Sequence, residues 1–205
     1  MNCQDHSGVG GVILAAGRSA RYGPGNKLLA TIDGTAVVRQ VAETASQSSL
    51  TDVVAVLGYE DEAVAEALNG LSLSHRHNSD YAAGQSASVR HGVEFARSAD
   101  WDAALFLLGD MPFVRVETIE TLIETYRTGS ASIVVPKYDG QRGNPVLFDG
   151  CHFDALASVS GDRGGRDVIE ANEETAFIDV ADPGIHWDID TAADRAEFTD
   201  RRDGL

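Results

Sequence analysis

The chain has 205 residues, of which 32 are acidic and 16 basic, so its formal net charge is −16. Hydrophobic residues make up 43% and charged residues 23%, which is typical of a globular domain and excludes a disordered chain. No apolar stretch approaches the ~18 residues of a membrane helix, and the stretch at 9–16 has no Lys or Arg before it, so we expect neither a membrane partner nor a signal peptide. The length predicts one domain over 1–205, with loose tails at 1–8 and 200–205.

The acidic charge is spread along the whole chain, which contains only two lysines, Lys27 and Lys137. Nucleic acid is not expected as a partner, because its binding requires a basic face. We interpret the charge as a hydrated surface suited to a salt-rich, halophilic cytoplasm, where screening removes the self-repulsion. The two cysteines, Cys3 and Cys151, are too few for a disulfide framework, which also favours a cytoplasmic location.

Short aliphatic or β-branched runs alternate with stretches whose apolar residues recur at spacings of three and four. The runs predict strands at 9–15, 53–57, 73–77, 103–108 and 132–136, and the stretches predict helices at 35–48, 61–68, 85–97 and 116–127. Beyond them we predict a turn at 140–145, strands at 146–148, 176–180 and 186–189, and a C-terminal helix. This order predicts a doubly wound, three-layer α/β/α fold with a mostly parallel sheet and a C-terminal antiparallel addition, whose ligands bind at the carboxyl ends of the strands.

A glycine-rich loop follows the first predicted strand. It runs Leu14-Ala15-Ala16-Gly17-Arg18-Ser19-Ala20-Arg21-Tyr22-Gly23 and continues to Asn26-Lys27-Leu28-Leu29. Small residues let backbone N–H groups approach a phosphate chain, and Arg21 and Lys27 supply positive charge. The loop is not a P-loop, because the Gly-Lys-Ser/Thr ending is missing and the lysine lies ten residues past Gly17. From composition alone, an ordinary flexible surface loop remains an open alternative.

Aspartates in two later segments are candidate metal ligands. Asp110 follows the apolar run at 103–108 and can hold a magnesium ion that bridges phosphates, although it can equally cap a strand-to-helix turn. Asp188 and Asp190 lie on one face if their segment is a strand, and neighbouring carboxylates repel unless a cation lies beside them. The alternative is that Asp190 only caps a helix that starts at Thr191.

Three polar loops add further candidates. Serines in the loop at 78–89 can be helix caps or ligand contacts. Arginines in the glycine-rich turns at 140–145 and 161–166 suit an anionic second substrate, or else form salt bridges with nearby carboxylates. His75 and His77 share a predicted strand face without a further ligand at metal spacing, so we expect them at the surface.

In their order along residues 12–198, these segments resemble the nucleotidyltransferases related to the molybdenum-cofactor cytidylyltransferases and guanylyltransferases. The resemblance implies a nucleotide-diphospho-sugar transferase-like fold and assigns Lys27, Arg21 and Asp110 as catalytic. Tyr22 stands where this family usually has methionine. The implied nucleotide contacts are Leu14, Ala15, Ala16, Gly17, Ser19, Arg21, Lys27, Gly84, Gln85, Ser86, Ser88 and Asp110. The implied metal ligands are Asp110, Asp190 and Asp188, and the implied acceptor contacts are Arg142, Gly143, Asn144, Pro145, Arg163 and Arg166.

The resemblance also implies the reaction. A nucleoside triphosphate would give its monophosphate to the terminal phosphate of molybdopterin or the molybdenum cofactor, with release of pyrophosphate and with magnesium or manganese as cofactor. The Leu14-Ala15-Ala16-Gly17 sequence resembles the cytidylyl branch, so we expect CTP rather than GTP, and a molybdoenzyme or its chaperone as a further partner. The alternatives are a guanylyltransferase or sugar-phosphate nucleotidyltransferase, and a non-catalytic accessory protein that binds nucleotide or cofactor.

Overall fold

The computed structural model describes residues 8–23, 25–161 and 164–203. Arg163, an expected acceptor contact, lies outside the described residues, as do 1–7 and 204–205 of the expected tails. Within the described ranges, no helix combines the length and the apolar character needed to cross a lipid bilayer.

The described chain forms ten strands and seven α-helices. The strands are β1 (Val9–Ala15), β2 (Thr31–Ile32), β3 (Thr35–Ala36), β4 (Val53–Leu57), β5 (Ser74–His77), β6 (Ala103–Leu108), β7 (Ile133–Tyr138), β8 (Gln141–Arg142), β9 (Val146–Asp149) and β10 (Thr175–Asp179). The helices are α1 (Val37–Ser46), α2 (Asp61–Ala67), α3 (Gln85–Ser98), α4 (Val116–Arg127), α5 (Phe153–Ser158), α6 (Arg166–Ala171) and α7 (Ala192–Asp203).

Eight strands form the main sheet, in the order β10-β7-β9-β6-β1-β4-β5, with β8 paired to β7. Neighbours β6, β1, β4 and β5 are parallel, as are β7 and β10, whereas β9 is antiparallel to both β6 and β7. The prediction of a mostly parallel sheet is therefore confirmed. We call the end of the sheet where β1 and β6 finish, at Ala15 and Leu108, the carboxyl edge. The opposite end, where β6 and β7 begin at Ala103 and Ile133, is the amino edge.

Helices cover both faces of the sheet, which confirms the three-layer prediction. Apolar residues of α1, α2 and α4 pack on one face, and those of α3, α5 and α6 on the other. Successive side chains of a strand point to opposite faces, so Ile13 of β1 belongs to the first core and Val12 to the second. The periodicity of α4 is confirmed as well, because Ile119, Leu122 and Ile123 are fully buried.

The C-terminal third departs from the sequence prediction in several details. The antiparallel strand β9 lies inside the sheet, while β10 is parallel to β7 because α5 and α6 return the chain to the edge where β7 begins. Residues 186–189 are not a strand, since Asp182 accepts a hydrogen bond from Gly184 N and a 3-10 turn follows over Pro183–His186. α7 continues to Asp203, so residues 200–203 of the expected tail are helical.

Candidate active site

A cavity of about 590 Å³, here the first cavity, opens at the carboxyl edge between the segments that follow β1 and β6. Most of the predicted nucleotide and metal residues meet there, as expected for the carboxyl ends of parallel strands. They are Leu14, Ala16, Gly17, Ser19, Arg21, Lys27, Gly84, Gln85, Ser88, Asp110, Asp188 and Asp190.

An ion cluster lies at the centre of this cavity. The Lys27 ammonium is 2.5 Å from Asp110 Oδ2 and 2.8 Å from Asp190 Oδ1, and Arg21 Nη1 is 2.6 Å from Asp190 Oδ2. Two carboxylates from distant parts of the chain therefore converge on one cation. They repel each other without a positive charge between them, so each side chain depends on the others for its position.

The pKa values of the cluster reflect this crowding of charge. Burial alone would lower the pKa of Lys27, but the charges and hydrogen bonds of Asp110 and Asp190 outweigh it, so the pKa is raised above its usual 10.5. The pKa of Asp188 is raised by burial first and then by the negative charge of Asp110. Burial and the neighbouring carboxylate of Asp110 thus both disfavour the ionised form of Asp188.

Local hydrogen bonds decide between the two sequence interpretations of Asp190. Thr191 Oγ1 accepts from the backbone N–H of Asp194, and the Asp194 carboxylate accepts from the backbone N–H groups of Asp190 and Thr191. Thr191 and Asp194 therefore cap α7. The Asp190 carboxylate is left for Lys27 and Arg21, and the strand on which Asp188 and Asp190 would share a face does not form.

Two further contacts hold this segment against the carboxyl edge. Ile189 N donates to the backbone oxygen of Asp110 at 2.9 Å, which brings Asp190 beside the other carboxylate. The buried Asp182 carboxylate accepts from Arg115 N and from Thr118 Oγ1, and so anchors the incoming turn to the start of α4. Sequence reasoning missed Asp182, although its position before a Pro-Gly pair was a turn signal.

The glycine-rich loop is shaped by Asn26, another residue that sequence reasoning did not assign to the site. Its buried side-chain oxygen accepts from Ser19 Oγ at 3.0 Å and from Leu28 N at 3.1 Å. Ser19 Oγ also accepts from Lys27 N, so the Ser19 hydroxyl lines the cavity but is engaged within the loop. These hydrogen bonds fix the backbone at Lys27 so that its side chain points into the first cavity. Arg18, also missed, lines the same cavity with an exposed side chain.

A second cavity of about 380 Å³ adjoins the first. Of the predicted acceptor residues it is lined by Arg142, Gly143, Asn144 and Arg166. Gly164 and Gly165, from the turn at 161–166 predicted for the second substrate, line it as well. Sequence reasoning missed the rest of the lining, which is apolar and comprises Val89, Phe106, Val135, Val146, Phe148, Leu156 and Ile169 besides residues shared with the first cavity. The sheet and the helical layer formed by α3, α5 and α6 contribute to it, so no local pattern could have revealed it.

The turn that carries Arg142 is fixed by a close backbone approach. A Cβ atom on Gly143 would lie 2.5 Å from the backbone oxygen of Ile185, and Asn144 N donates to that same oxygen at 3.1 Å. Arg142 lines the cavity and also pairs with Glu170 at 3.1 Å. The salt-bridge interpretation of this arginine is therefore confirmed, and its contact with an anionic second substrate stays a prediction.

Three predicted contacts do not line the cavity to which they were assigned. Ala15 follows Leu14 on β1 and, by strand alternation, faces the opposite core. Ser86 is buried on the inner side of α3, where its backbone N–H donates to Gly161. Pro145 lines a separate small pocket beside Met111. His75 and His77 are exposed, as predicted, and His77 pairs with Asp61.

Comparison with known proteins identifies the family to which this architecture belongs. Residues 11–176 match the family model described as the MobA-like NTP transferase domain. The chain belongs to this family. The match covers the glycine-rich loop, Asp110 and the Arg142 turn, and it confirms the resemblance seen in the sequence.

Relatives of this MobA-like nucleotidyltransferase carry different names. The chain is 32% identical over 190 residues to nicotine blue oxidoreductase of Paenarthrobacter nicotinovorans, covering 89% of this chain and 92% of that protein. It is 29% identical to the purine catabolism protein PucB of Bacillus subtilis, covering 88% and 91%. Crystal structures of Rv0371c from Mycobacterium tuberculosis share 26% identity, one with a TM-score of 0.79 that covers 95% of this chain and 99% of that one, and another, complexed with manganese, with a TM-score of 0.76 and coverage of 94% and 98%.

The donor set of this MobA-like transferase fits a hard divalent cation. Among the described residues, no three His, Cys, Asp or Glu side chains gather closely enough to hold a metal ion alone. Magnesium is usually held by one or two carboxylates and completed by water and substrate phosphates. Asp110 and Asp190 converge on one positive charge, with Asp188 in the same cavity, which is such a partial set of oxygen ligands.

Proposed function

We propose that the protein transfers the nucleoside monophosphate of an NTP, preferably CTP, to the terminal phosphate of molybdopterin or the molybdenum cofactor. The observation that carries this proposal is the pair of adjoining cavities at the carboxyl edge. One offers clustered cations and carboxylates, and the other has an apolar floor with Arg142 and Arg166 in its wall. A polyphosphate fits the first, and a ring system that bears a phosphate fits the second.

The first cavity is suited to a triphosphate because its cations are held by groups that a ligand can replace. Lys27 and Arg21 pair with carboxylates in the free protein, and phosphate oxygens are equally good partners for them. Arg18 adds a third positive charge at the exposed side of the cavity.

The reaction needs charge neutralisation more than proton transfer. A terminal phosphate oxygen of the acceptor attacks the α-phosphorus, a new P–O bond forms, and the bond to pyrophosphate breaks, so pyrophosphate leaves with the electron pair. The attacking phosphate is already ionised at neutral pH, and no side chain has to remove a proton. Lys27 and Arg21 offset charge on the leaving pyrophosphate, and the protein contributes position and electrostatics.

Asp110 and Asp190, with Asp188 beside them, are the residues that would hold magnesium or manganese. When bound there, a divalent ion neutralises phosphate charge and orients the phosphates for transfer. The manganese complex of the related Rv0371c structure supports a divalent cofactor for this chain. Removal of divalent ions with EDTA is expected to abolish turnover, and either ion is expected to restore it.

Ala16 supports the choice of CTP. It is a nearly buried residue that lines the first cavity, at the position where the related guanylyl branch has glycine. Its methyl group also narrows the space beside Gly58, where an added Cβ would lie 2.8 Å from Ala16 Cβ. We therefore expect the Ala16 methyl to disfavour the larger guanine base.

The experiment is pyrophosphate release in high KCl with magnesium, with CTP, GTP, ATP and UTP supplied separately and molybdopterin as acceptor. Release with CTP alone is expected. Release with GTP would retain the reaction and overturn the nucleotide preference. No release with any nucleotide, although CTP binds, would favour a different phosphorylated acceptor or a non-catalytic accessory role.

We also propose that the protein works in a salt-rich cytoplasm and delivers its product to another protein. The net charge of −16 is suited to a salt-rich cytoplasm, and the product would pass to a molybdoenzyme or its chaperone. The unfolding midpoint is expected to rise from low salt to molar KCl, and an unchanged midpoint would contradict the halophilic interpretation.

A further inference from the structure

The two cavities meet along a shared wall that contains one polar side chain. Among the described residues, Leu14, Gln85 and Leu108 line both cavities, and of these only Gln85 carries hydrogen-bonding side-chain atoms. Leu14 and Leu108 belong to the neighbouring strands β1 and β6, so the wall is built on the rigid centre of the sheet. Gln85 faces them from the first turn of α3.

A packing contact holds the Gln85 carboxamide in this wall. A Cβ atom on Gly164 would lie 2.9 Å from Gln85 Oε1 and 3.4 Å from its Cδ, so the glycine admits the carboxamide at close range. Gly164 also has a φ of +53°, a conformation that favours glycine, and it lines the second cavity. The start of α3 therefore fixes the Gln85 backbone, and the loop at Gly164 packs against its carboxamide.

We propose that the Gln85 carboxamide holds the attacking phosphate of the acceptor and the α-phosphate of the NTP against each other during transfer. This inference rests on the proposed function. The bond that forms joins a ligand of one cavity to a ligand of the other, so the reacting atoms must meet at the shared wall. Two anions repel at this point, and a neutral amide supplies N–H donors to phosphate oxygens without adding charge. Sequence resemblance had assigned Gln85 only to the nucleotide.

The test separates transfer from nucleotide binding. We expect Gln85→Ala to bind CTP within about threefold of the wild-type affinity by calorimetry, and to lower kcat for pyrophosphate release with molybdopterin by ~100-fold. Gln85→Glu keeps the length but replaces the donors with negative charge, and we expect at least the same loss. Gln47→Ala, at an exposed glutamine after α1, is the matched control and should behave like the wild type.

A double-mutant cycle tests the contact with Gly164. Gly164→Ala should lower kcat more in the wild-type background than in Gln85→Ala, because in the double variant the clash with the carboxamide is absent and only the backbone strain at φ +53° remains. A kcat within about threefold of wild type in Gln85→Ala, or a loss of CTP affinity as large as the loss of kcat, would overturn the role of Gln85 while leaving the proposed function intact. Absence of turnover in the wild-type protein would instead overturn the proposed function, and this inference with it.

Discussion

Acidic side chains are hydrogen-bonded at both edges of the sheet, but with different kinds of partner. At the amino edge, Asp149 accepts from Tyr126 Oη at 2.7 Å and from Cys151 N at 2.8 Å. At the carboxyl edge, Asp110 and Asp190 accept from the Lys27 ammonium. The amino-edge partners are a ring packed in the core and a backbone N–H, whereas the carboxyl-edge partner lies on a flexible stem that can turn to another anion.

The pKa values reflect the same contrast. Burial opposes ionisation of Asp149, yet hydrogen bonds from Cys151 and Tyr126 outweigh it and lower its pKa. Burial first, and then Asp149, raises the pKa of the Cys151 thiol to about 11, so this thiol stays protonated at neutral pH. The hydrogen bonds at the amino edge therefore stabilise the fold. At the carboxyl edge, we expect the Lys27 ammonium to exchange its carboxylate partners for phosphate oxygens when a ligand binds.

The largest expected effect is a loss of turnover when a charged residue of the carboxyl edge is removed. Lys27→Ala or Asp110→Ala should lower turnover at least ~100-fold with the fold intact, because each removes a charge that acts on the transferring phosphates. Pyrophosphate release and circular dichroism measure the two properties.

The only other lysine provides the control for that experiment. Lys137 on β7 pairs at 3.4 Å with the largely exposed Asp179 on the edge strand β10, so Lys137→Ala and Asp179→Asn should keep wild-type turnover. Wild-type rates of pyrophosphate release in Lys27→Ala or Asp110→Ala would contradict the assignment of the carboxyl edge as the active site.

A smaller effect is expected from Arg18→Ala. Arg18 lines the first cavity, and we expect it to contact the triphosphate through a charge-assisted hydrogen bond that contributes to binding alone. The KM for CTP should rise about tenfold while kcat stays near its wild-type value, which steady-state kinetics would resolve. Arg127→Ala, at an exposed arginine of α4, is the control, and equal KM values in both variants would contradict the role of Arg18.

At the amino edge, Tyr126→Phe should affect stability and leave transfer unchanged. The substitution removes the phenol that donates to Asp149, a half-buried carboxylate, at a cost of about 1 to 2 kcal/mol. This corresponds to a Tm lower by roughly 2–8 °C for a chain of this size. A thermal melt and a turnover assay on the same sample check it, and a drop in kcat with unchanged Tm would show that the two edges are coupled.

The smallest effect concerns the pH dependence of stability through His152. Burial lowers the pKa of His152, against the opposing charges of Asp149 and Glu174, so the unfolded chain binds this proton more readily than the folded one. The stabilising contribution is complete above the unfolded value of about 6.5 and is lost as pH falls below it.

His152→Gln should therefore flatten the fall of Tm between pH 7 and pH 5, by on the order of 1 °C because the ring is partly screened by solvent. His75→Gln, at an exposed strand residue, should leave the slope unchanged. A steeper fall of Tm with falling pH in His152→Gln than in the wild type would contradict the predicted direction of this effect.

Local patterns in the sequence predicted the order of most elements, and the family resemblance added most of the residues that line the first cavity. Apolar periodicity predicted β1, β4, β6 and α4 to within a few residues, since an amphipathic segment must bury one face wherever it packs. The position of Asp110 just after β6 was enough to place it at the carboxyl edge, whereas Lys27 was assigned from the glycine-rich loop and the family resemblance. Strand alternation, applied more strictly, would also have excluded Ala15.

Only the tertiary structure decided how distant segments meet. The meeting of Asp190 with Lys27 depends on the backbone hydrogen bond between Ile189 and Asp110, which are far apart in the chain. The direction of β10 and the apolar floor of the second cavity depend on the order of strands in the sheet. The same holds for Gln85, which belongs to both cavities because α3 packs across β1 and β6. Hydrophobic periodicity specifies which face of a segment is buried, but the partner across that face is fixed by packing over the whole chain.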